Sequence, residues 1–267
     1  MRDGNLRFIG LAMALALLAG CSNSGTGGAY DDLPAVVDVV ALGGSNVGGY
    51  GLAAPYDPDL AYPAVYARSL AEEAGVETRC RSHHTLEDMQ TRHLRTWNEL
   101  LTTDEQIRSD LEAAEVVIME IGVHTVLLEC GFYTDWTLDC LSEVAASMSD
   151  EYEELFDAID DLVADDTIVM AFNQGLPRPT SEHWRDHPDW AAMKTNAFEV
   201  WWDGLDAAAT AHNAIVIDTA HMFGEGDPDE FGMSPEYTQP DNAHFNSEGH
   251  RLWADLLLDA DGIDPNA

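Results

Sequence analysis

The architecture of this chain follows from one segment, Val36-Val-Asp-Val-Val-Ala-Leu-Gly-Gly-Ser45-Asn-Val-Gly-Gly-Tyr50-Gly51. Its first part, Val36 to Leu42, is an apolar run with the length and composition of a strand that is buried on both faces. The two glycines that follow allow a sharp turn, because glycine tolerates positive φ angles. Such a turn exposes the Ser45 hydroxyl at the carboxyl edge of the strand, where open α/β sheets bind their ligands. The stretch therefore predicts a nucleophilic serine at the edge of a buried sheet.

The rest of the chain alternates between strand-like and helix-like segments. A weaker strand candidate lies near Val76 to Cys80, and three further apolar runs rich in β-branched residues follow: Val116 to Ile121, Thr167 to Phe172 and Ile215 to Ile217. Between the strands, helical spacing is found in Tyr62–Ala74, Thr85–Leu101, Asp104–Ala113, Leu141–Val163, Ala191–Ala211 and Asn246–Leu258. This alternation predicts an α/β fold, in which a mostly parallel, five-stranded sheet carries helices on both faces.

Two of the predicted connections are longer than such a fold requires. One spans Thr125–Leu141 after the third strand, and the other spans Asn173–Trp190 after the fourth strand. Long loops at the carboxyl edge of a sheet often carry function, although aromatic packing in a crossover connection explains them equally well. The second loop makes Trp184 and Trp190 candidate substrate contacts, whereas Trp201-Trp202 falls within a predicted helix and is expected to be core.

Composition bounds both the size and the partners of the protein. The 267 residues suffice for one domain, and neither a repeat nor an interdomain linker divides the chain after its N-terminal segment. With 12 basic and 49 acidic residues, the formal net charge is −37. This balance argues against a nucleic-acid partner, which requires a basic face. The excess of acid indicates a solvated, self-repelling surface, or adaptation to a salty habitat in which screening weakens the repulsion.

The N-terminus has the features of an export signal. Arg2 and Arg7 precede the apolar run Phe8–Leu18, which is too short to span a bilayer comfortably. The following Leu18-Ala-Gly-Cys21 resembles the lipobox of bacterial lipoproteins, which implies lipidation of Cys21. We therefore expect a signal peptide (1–20), a lipidated cysteine with a flexible tether (21–35) and one domain (36–267). The protein is expected to be exported and membrane-anchored in the cell envelope, on the periplasmic or the extracellular face.

Export leaves three cysteines in an oxidising compartment, and an odd number cannot all pair within one chain. Cys130 and Cys140 are close enough in sequence to staple a single loop. Cys80 would then be buried or free. The sequence alone does not decide among the possible pairings.

Three chemistry-bearing segments lie where the fold would bring them to one edge of the sheet. They are Ser45, His124 after the third strand, and Asp241-Asn-Ala-His244 before the last helix. A serine hydroxyl is a weak nucleophile until an imidazole takes its proton, and a carboxylate holds that imidazole in the required tautomer. The spacing Asp-x-x-His puts carboxylate and imidazole on one short loop that the last helix anchors. Ser45, His244 and Asp241 are therefore the predicted catalytic residues.

With these residues the sequence resembles the SGNH hydrolases, also called GDSL esterases and lipases. Ala41-Leu-Gly-Gly-Ser45-Asn-Val-Gly-Gly-Tyr-Gly-Leu52 is similar to the first block of the family, with Gly44 where an Asp is usual. Asp241-Asn-Ala-His244-Phe-Asn-Ser-Glu-Gly-His250-Arg is similar to the last block. The resemblance implies a flavodoxin-like three-layer α/β/α sandwich and ester hydrolysis through an acyl-enzyme. It also implies a small-molecule, lipid or glycan ester as substrate, and no cofactor.

The predicted oxyanion hole departs from the family pattern at two points. The family uses the serine N–H, a glycine N–H in its second block and an Asn side chain in its third. His124 stands where that Asn belongs, and no glycine occurs between Gly75 and Gly122. A neutral imidazole can donate one N–H, so His124 could replace the Asn, and a backbone N–H near His83 could replace the glycine. Ser45, His124 and His83 are thus the expected donors.

Other classes of site fit the sequence less well. Val47 breaks the Gly-x-Ser-x-Gly pattern of α/β-hydrolases, Ser45 stands at the second glycine of a dinucleotide fingerprint, and the turn lacks the lysine of a P-loop. Ten histidines are present without Cys-x-x-Cys or His-Glu-x-x-His spacing, so no metal site is predicted. The alternative to an enzyme is a catalytically impaired SGNH scaffold that binds glycan or lipid at the cell surface.

Overall fold

One parallel sheet forms the centre of the molecule. The computed structural model describes residues 33–52, 56–84, 94–131, 135–173, 188–219, 236–241 and 244–261. The five strands of the sheet are β1 (Val36–Gly43), β2 (Glu77–His84), β3 (Val116–Glu120), β4 (Ile168–Asn173) and β5 (Ile215–Asp218). Their order is β2-β1-β3-β4-β5, and every neighbouring pair is parallel. The predicted α/β fold with a five-stranded sheet is confirmed.

Helices connect the strands. They are α1 (Tyr62–Ala74), α2 (Leu94–Thr103), α3 (Glu105–Leu111), α4 (Val123–Cys130), α5 (Leu138–Asp160) and α7 (Ser247–Ala260), while α6 runs through three consecutive parts, Trp190–Met193, the π-helical Lys194–Phe198 and Glu199–Ala211. Residues next to the helices determine where several of them begin or end. Gly75 ends α1 in the left-handed conformation, and the side chains of Asp104 and Asn246 cap α3 and α7 by accepting backbone N–H groups.

The sheet buries both of its faces, which gives three layers. Alternate β1 residues Val37, Val39 and Ala41 belong to the apolar core shared with α1 and α7. Val40 and Leu42 belong to the opposite core, which they share with helices α2 to α6. Because successive side chains of a strand point to opposite faces, an unbroken apolar run is what such a strand requires. The flavodoxin-like three-layer sandwich is therefore confirmed.

The strand order creates a crevice between β1 and β3. The chain passes from β1 outward to β2 and then returns to β3 on the other side of β1. Connections on the two sides of this switch point diverge, and ligands of open α/β sheets bind there, beyond the carboxyl ends of the strands. Ser45 follows β1 and His124 follows β3, so the topology brings both segments to this crevice.

The segment after β3 differs from the sequence-based prediction. The expected long connection over Thr125–Leu141 is wrong, because Val123–Cys130 is helix α4 and α5 already begins at Leu138. The start of α4 carries no side-chain cap, and Gly122 before it has a φ of 146°. The usual sequence signal for a helix start is therefore missing, and long-range contacts take its place.

One of the cysteine pairings that the sequence allows is present in the structure. Cys130 and Cys140 form a disulfide that joins the end of α4 to the start of α5. Cys80 on β2 is a half-buried free thiol, and burial raises its pKa to about 11. A thiol with so high a pKa is almost entirely protonated at neutral pH and is a poor nucleophile.

The predicted signal peptide, lipidated Cys21 and tether lie outside the described residues. The same holds for Trp184 and most of the second long connection. Among the helices that the structure does describe, none is both long and apolar enough to cross a membrane.

Candidate active site

The Ser45 hydroxyl, the His244 imidazole and the Asp241 carboxylate form a hydrogen-bonded chain. Ser45 Oγ lies 2.9 Å from His244 Nε2, and Asp241 Oδ2 lies 2.7 Å from His244 Nδ1. A carboxylate can only accept, so this contact puts the imidazole proton on Nδ1 and leaves Nε2 to accept from the serine hydroxyl. Asp241 Oδ1 also accepts the backbone N–H of His244 at 3.0 Å. The structure thus brings the three residues together in the geometry of a serine-hydrolase triad.

A tight turn after β1 holds the serine. The carbonyl oxygen of Ser45 accepts the N–H of Tyr50 at 3.0 Å, which closes the turn. Gly49 has a φ of 66°, and a Cβ at this position would lie 2.2 Å from the carbonyl oxygen of Asp57. Any other residue would strain the backbone and clash with the facing chain. Glycine at position 49 is therefore a steric requirement of the turn.

The loop that carries His244 is anchored on both sides. Asn246 Oδ1 accepts two N–H groups in the first turn of α7, at 2.9 and 3.0 Å, and so fixes the loop to that helix. On the other side, Gln239 Nε2 donates to the carbonyl oxygen of Tyr50 at 2.6 Å. The base is consequently tied both to the last helix and to the turn of the nucleophile.

The His124 ring packs against Gly44, the residue before Ser45. A Cβ on Gly44 would lie 3.2 Å from Nδ1 and 2.6 Å from Cε1 of this ring, and the second distance is closer than non-bonded carbon atoms approach. The missing side chain at Gly44 therefore makes the room that the imidazole occupies. Two of the departures from the SGNH pattern, Gly44 for Asp and His124 for Asn, are therefore sterically complementary.

A buried hydrogen-bond chain supports the backbone just before His124. Trp201 Nε1 donates to the Tyr152 hydroxyl at 2.7 Å, and that hydroxyl donates to the carbonyl oxygen of Ile121 at 3.0 Å. A Cβ on Gly122 would lie 2.2 Å from the same hydroxyl, so only glycine fits. Burial raises the pKa of Tyr152, which keeps its proton available for this bond. Trp201 is core, as predicted.

Two further predicted site residues make other contacts. His83 lies in β2, and its Nε2 is 3.0 Å from Asp110 Oδ2 on α3, so its imidazole faces that helix. Its backbone N–H as an oxyanion donor stays a prediction. Trp190 begins α6 and packs against the core, with its ring centroid 6.0 Å from that of Phe198. Its role in substrate binding also stays a prediction.

Sequence reasoning missed two buried polar residues beside the triad. Asn46 Nδ2 donates to Glu120 Oε1 at 3.0 Å, and Asn46 Oδ1 accepts the backbone N–H of Phe245 at 3.2 Å. Asn46 is 6% exposed and Glu120 is 3% exposed. The available signal was a carboxylate at the end of the otherwise apolar strand β3, since a buried charge requires a partner.

Aromatic rings line one side of the triad. The Tyr50 ring centroid lies 4.3 Å from that of His244, and the Tyr56 ring lies 5.4 Å from Tyr50. The two tyrosines are 36% and 37% exposed, so their free faces are open to a bound molecule. His84 stacks on Tyr56, and burial lowers its pKa, which favours a neutral ring at the end of this row.

Within the described ranges, no group of three or more His, Cys, Asp and Glu side chains is arranged to hold a metal ion. His212 does contact acids, with Asp160 Oδ2 at 2.7 Å and Glu153 Oε2 at 3.3 Å. Burial acts to lower the pKa of His212, but its hydrogen bonds to these two carboxylates outweigh burial and raise it. This cluster is an ion-pair arrangement.

Comparisons with known proteins give matches in structure alone. No protein-family model matches the chain, and no curated protein matches its sequence. The lipase Lip_vut3 from a goat rumen metagenome superposes with a TM-score of 0.63 at 17% identity, over 84% of this chain and 96% of the lipase. Phospholipase A1 from Streptomyces albidoflavus superposes with a TM-score of 0.56 at 16% identity, over 84% of this chain and 99% of the phospholipase.

A third matching structure is described as a GDSL-like lipase. A putative GDSL-like lipase from Parabacteroides merdae superposes with a TM-score of 0.52 at 14% identity, over 85% of this chain and 96% of the lipase. The chain has the SGNH hydrolase fold. At such identities the likeness speaks for the fold alone, so what this SGNH-fold chain does must be argued from its own side chains.

Proposed function

We propose that the protein is a carboxylic ester hydrolase that works through an acyl-enzyme on Ser45. The observation that carries the proposal is the pair of contacts on one imidazole. Nε2 of His244 lies 2.9 Å from Ser45 Oγ, and Nδ1 lies 2.7 Å from Asp241. A nucleophile, its base and the group that orients the base are all within hydrogen-bond distance, which is the requirement for nucleophilic catalysis by serine.

The geometry defines the order of proton transfers. Ser45 Oγ attacks the ester carbonyl carbon while His244 Nε2 takes the hydroxyl proton, and Asp241 stabilises the imidazolium that forms. The tetrahedral intermediate collapses as the C–O bond to the alcohol breaks, and His244 returns the proton to the leaving oxygen. Water then attacks the acyl-serine with His244 as base. This second attack releases the acid and restores the hydroxyl.

The negative oxygen of the intermediate requires donors at the crevice between β1 and β3. The backbone N–H of Ser45 and an imidazole N–H of His124 are the donors that we assign, because the His124 ring is in contact with Gly44, directly before the nucleophile. Loss of one such donor costs about a hundred- to a thousand-fold in turnover in other hydrolases. His124→Ala is therefore expected to lower kcat by about a hundred-fold, and unchanged turnover would remove His124 from the hole.

A fluorophosphonate probe tests the nucleophile directly. Wild-type protein should be labelled stoichiometrically at neutral pH, with the mass increase on the peptide that contains Ser45, and Ser45→Ala should not be labelled. A panel of short-chain and long-chain acyl esters, run with the same variant as control, then defines the acyl preference. Absence of both labelling and hydrolysis in folded wild-type protein would contradict the enzyme and favour a surface protein that binds glycan or lipid.

We further propose that the protein is a lipoprotein anchored in the cell envelope through Cys21. The support is the basic start, the short apolar run and the Leu-Ala-Gly-Cys segment at its end. Metabolic labelling with an alkyne fatty acid in a bacterial host should mark the wild type, and Cys21→Ala should abolish the label. An unlabelled wild type that fractionates away from membranes would contradict the anchor.

A further inference from the structure

The turn of the nucleophile and the loop of the base are joined by one buried side chain. Asn46 directly follows Ser45, and Phe245 directly follows His244. The Phe245 N–H donates to Asn46 Oδ1 at 3.2 Å, although 199 positions separate the two residues. The side chain next to the nucleophile therefore binds the backbone next to the base.

Glu120 determines which way the Asn46 amide points. Its carboxylate oxygen Oε1 accepts from Asn46 Nδ2 at 3.0 Å, and its second oxygen accepts from the Tyr62 hydroxyl at 3.3 Å. A carboxylate can only accept and a backbone N–H can only donate, so the amide NH₂ must face Glu120 while the amide oxygen faces Phe245. A flipped amide would lose both bonds at once.

Glu120 and Tyr62, which hold the Asn46 amide in place, belong to a strand and a helix. Glu120 is the last residue of β3, whose neighbour in the sheet is β1, and the register places it beside Gly43. Tyr62 is the first residue of α1 and is fully buried. Burial raises the pKa of the Tyr62 hydroxyl far above its ordinary value, with the nearby Glu120 charge as a second cause, so this hydroxyl stays a donor.

We propose that Asn46, oriented by Glu120, is a positioning residue that sets the distance between Ser45 and His244. This inference rests on the proposed function. Without the bond to the Phe245 N–H, the base loop keeps its attachment to α7 and the Gln239 contact with Tyr50, but it loses the buried attachment directly beside Ser45 and His244. A displacement of about 1 Å between reacting groups costs about a hundred-fold in rate, so the bond acts on the chemical step.

The positioning role of Asn46 is tested by changing which of the residues at positions 46 and 120 donates the hydrogen bond. In Asn46→Asp one carboxylate oxygen still accepts from Phe245, but the other faces the Glu120 carboxylate, and the two repel at neutral pH. We expect kcat to fall by about a hundred-fold with KM nearly unchanged. Glu120→Gln keeps an acceptor for Asn46 but gives up the bond from Tyr62, so kcat should fall by less than about ten-fold.

The double variant Asn46→Asp/Glu120→Gln restores the pattern with donor and acceptor exchanged, because the amide introduced at position 120 can donate to the carboxylate introduced at position 46. It should recover kcat to within about ten-fold of wild type. Asn46→Ala, which adds no charge, serves if Asn46→Asp does not fold. All rates are compared well below each variant's melting temperature, so that lost stability does not imitate lost catalysis.

The outcomes separate this inference from the proposed function. Wild-type kcat in Asn46→Asp, or a double variant as slow as the single one, overturns the positioning role while leaving the esterase intact. Failure of the wild type to hydrolyse any ester overturns the proposed function, and the positioning role with it.

Hydrogen exchange at the Phe245 amide tests the bond to Asn46 without any measurement of activity. The amide should be protected in the wild type and exchange at least about ten-fold faster in Asn46→Ala, whereas equal protection overturns the bond.

Discussion

A buried histidine fixes the start of α1 next to the site. His250 is fully buried on α7, and its Nδ1 accepts the N–H of Tyr62, the first residue of α1, at 3.1 Å. That helix start has no side-chain cap of its own, so the imidazole from another helix supplies the acceptor. Burial, with a smaller contribution from the His244 charge, lowers the pKa of His250 from 6.5 to about 4.

We predict that His250 makes the fold less stable in mild acid. Because its folded pKa lies below its unfolded pKa, its contribution is complete above about pH 6.5 and is lost as the pH falls toward 4. The loss over this range is about 3 kcal/mol. The measurement is the free energy of unfolding in urea at several pH values for wild type and His250→Asn, whose amide oxygen can still accept from Tyr62. Parallel profiles for the two proteins would contradict the prediction.

The contact between Gly44 and His124 allows a second prediction at this scale. Gly44 is not among the glycines with positive φ, so its backbone accepts alanine. The new methyl group must displace the His124 ring, and we expect kcat to fall by about a hundred-fold, as for loss of an oxyanion donor. In the His124→Ala background the same change should cost less than about three-fold, because the ring is gone. Equal costs in both backgrounds, measured by steady-state kinetics, would show that the two positions act independently.

At the scale of elements, the sequence predicted those helices and strands whose bounds depend on neighbouring residues. The bounds of α1, Tyr62–Ala74, match its helical spacing, and the glycine after it ends the helix; α7, predicted over Asn246–Leu258, begins at Ser247 with Asn246 as its cap. The strand β2 was only partly predicted. It extends to His84, and its residues are exposed or half-buried without one being fully buried, because it is an edge strand of the sheet.

Contacts between residues that are far apart in the sequence could not be predicted, because they depend on how strands and helices pack. Helix α4 begins without a local cap, and the backbone just before it is bonded by Tyr152, which lies on another helix. Asn46 and Glu120 are 74 positions apart and meet only because β1 and β3 pair. By contrast, Asp241 and His244 share one loop, so their pairing could be inferred from spacing. The triad was accessible from the sequence, whereas the residues that hold it in place were not.

We predict that the disulfide stabilises the α4–α5 corner. The bond between Cys130 and Cys140 closes a loop with a sequence separation of 10. Chain-entropy arguments give about 3 kcal/mol for a loop of this size. Cys130→Ser/Cys140→Ser should therefore lower the free energy of unfolding in urea by about 2–3 kcal/mol. Reduced wild-type protein should match the variant. An unfolding curve that does not shift in either case would show that the corner is held by packing alone.

At the scale of the whole molecule, negative charge dominates the surface. The chain carries 12 basic residues against 49 acidic ones, so most carboxylates cannot have a basic partner. Arg79 and Arg81 on β2 both pair with the buried Asp38 on β1, and so fasten the edge strand to the centre of the sheet. The excess of like charge makes the folded state repel itself.

We predict that salt stabilises the protein. Raising NaCl from about 0.01 M to about 1 M shortens the screening length from about 30 Å to about 3 Å, which removes most long-range repulsion. The melting temperature measured by differential scanning fluorimetry should rise by several degrees. At about pH 5 the effect should shrink, because histidines gain charge and some carboxylates lose it. A melting temperature that does not respond to salt at neutral pH would contradict a charge-limited fold.

The contact between Ser45 and His244 joins residues 199 positions apart. The nucleophile emerges early in synthesis, but its base is added only with the final helix. Under the proposed function, a chain that ends before His244 has a serine without its base and is expected to be inactive. Ester hydrolysis would consequently report that the chain has been made at least as far as α7.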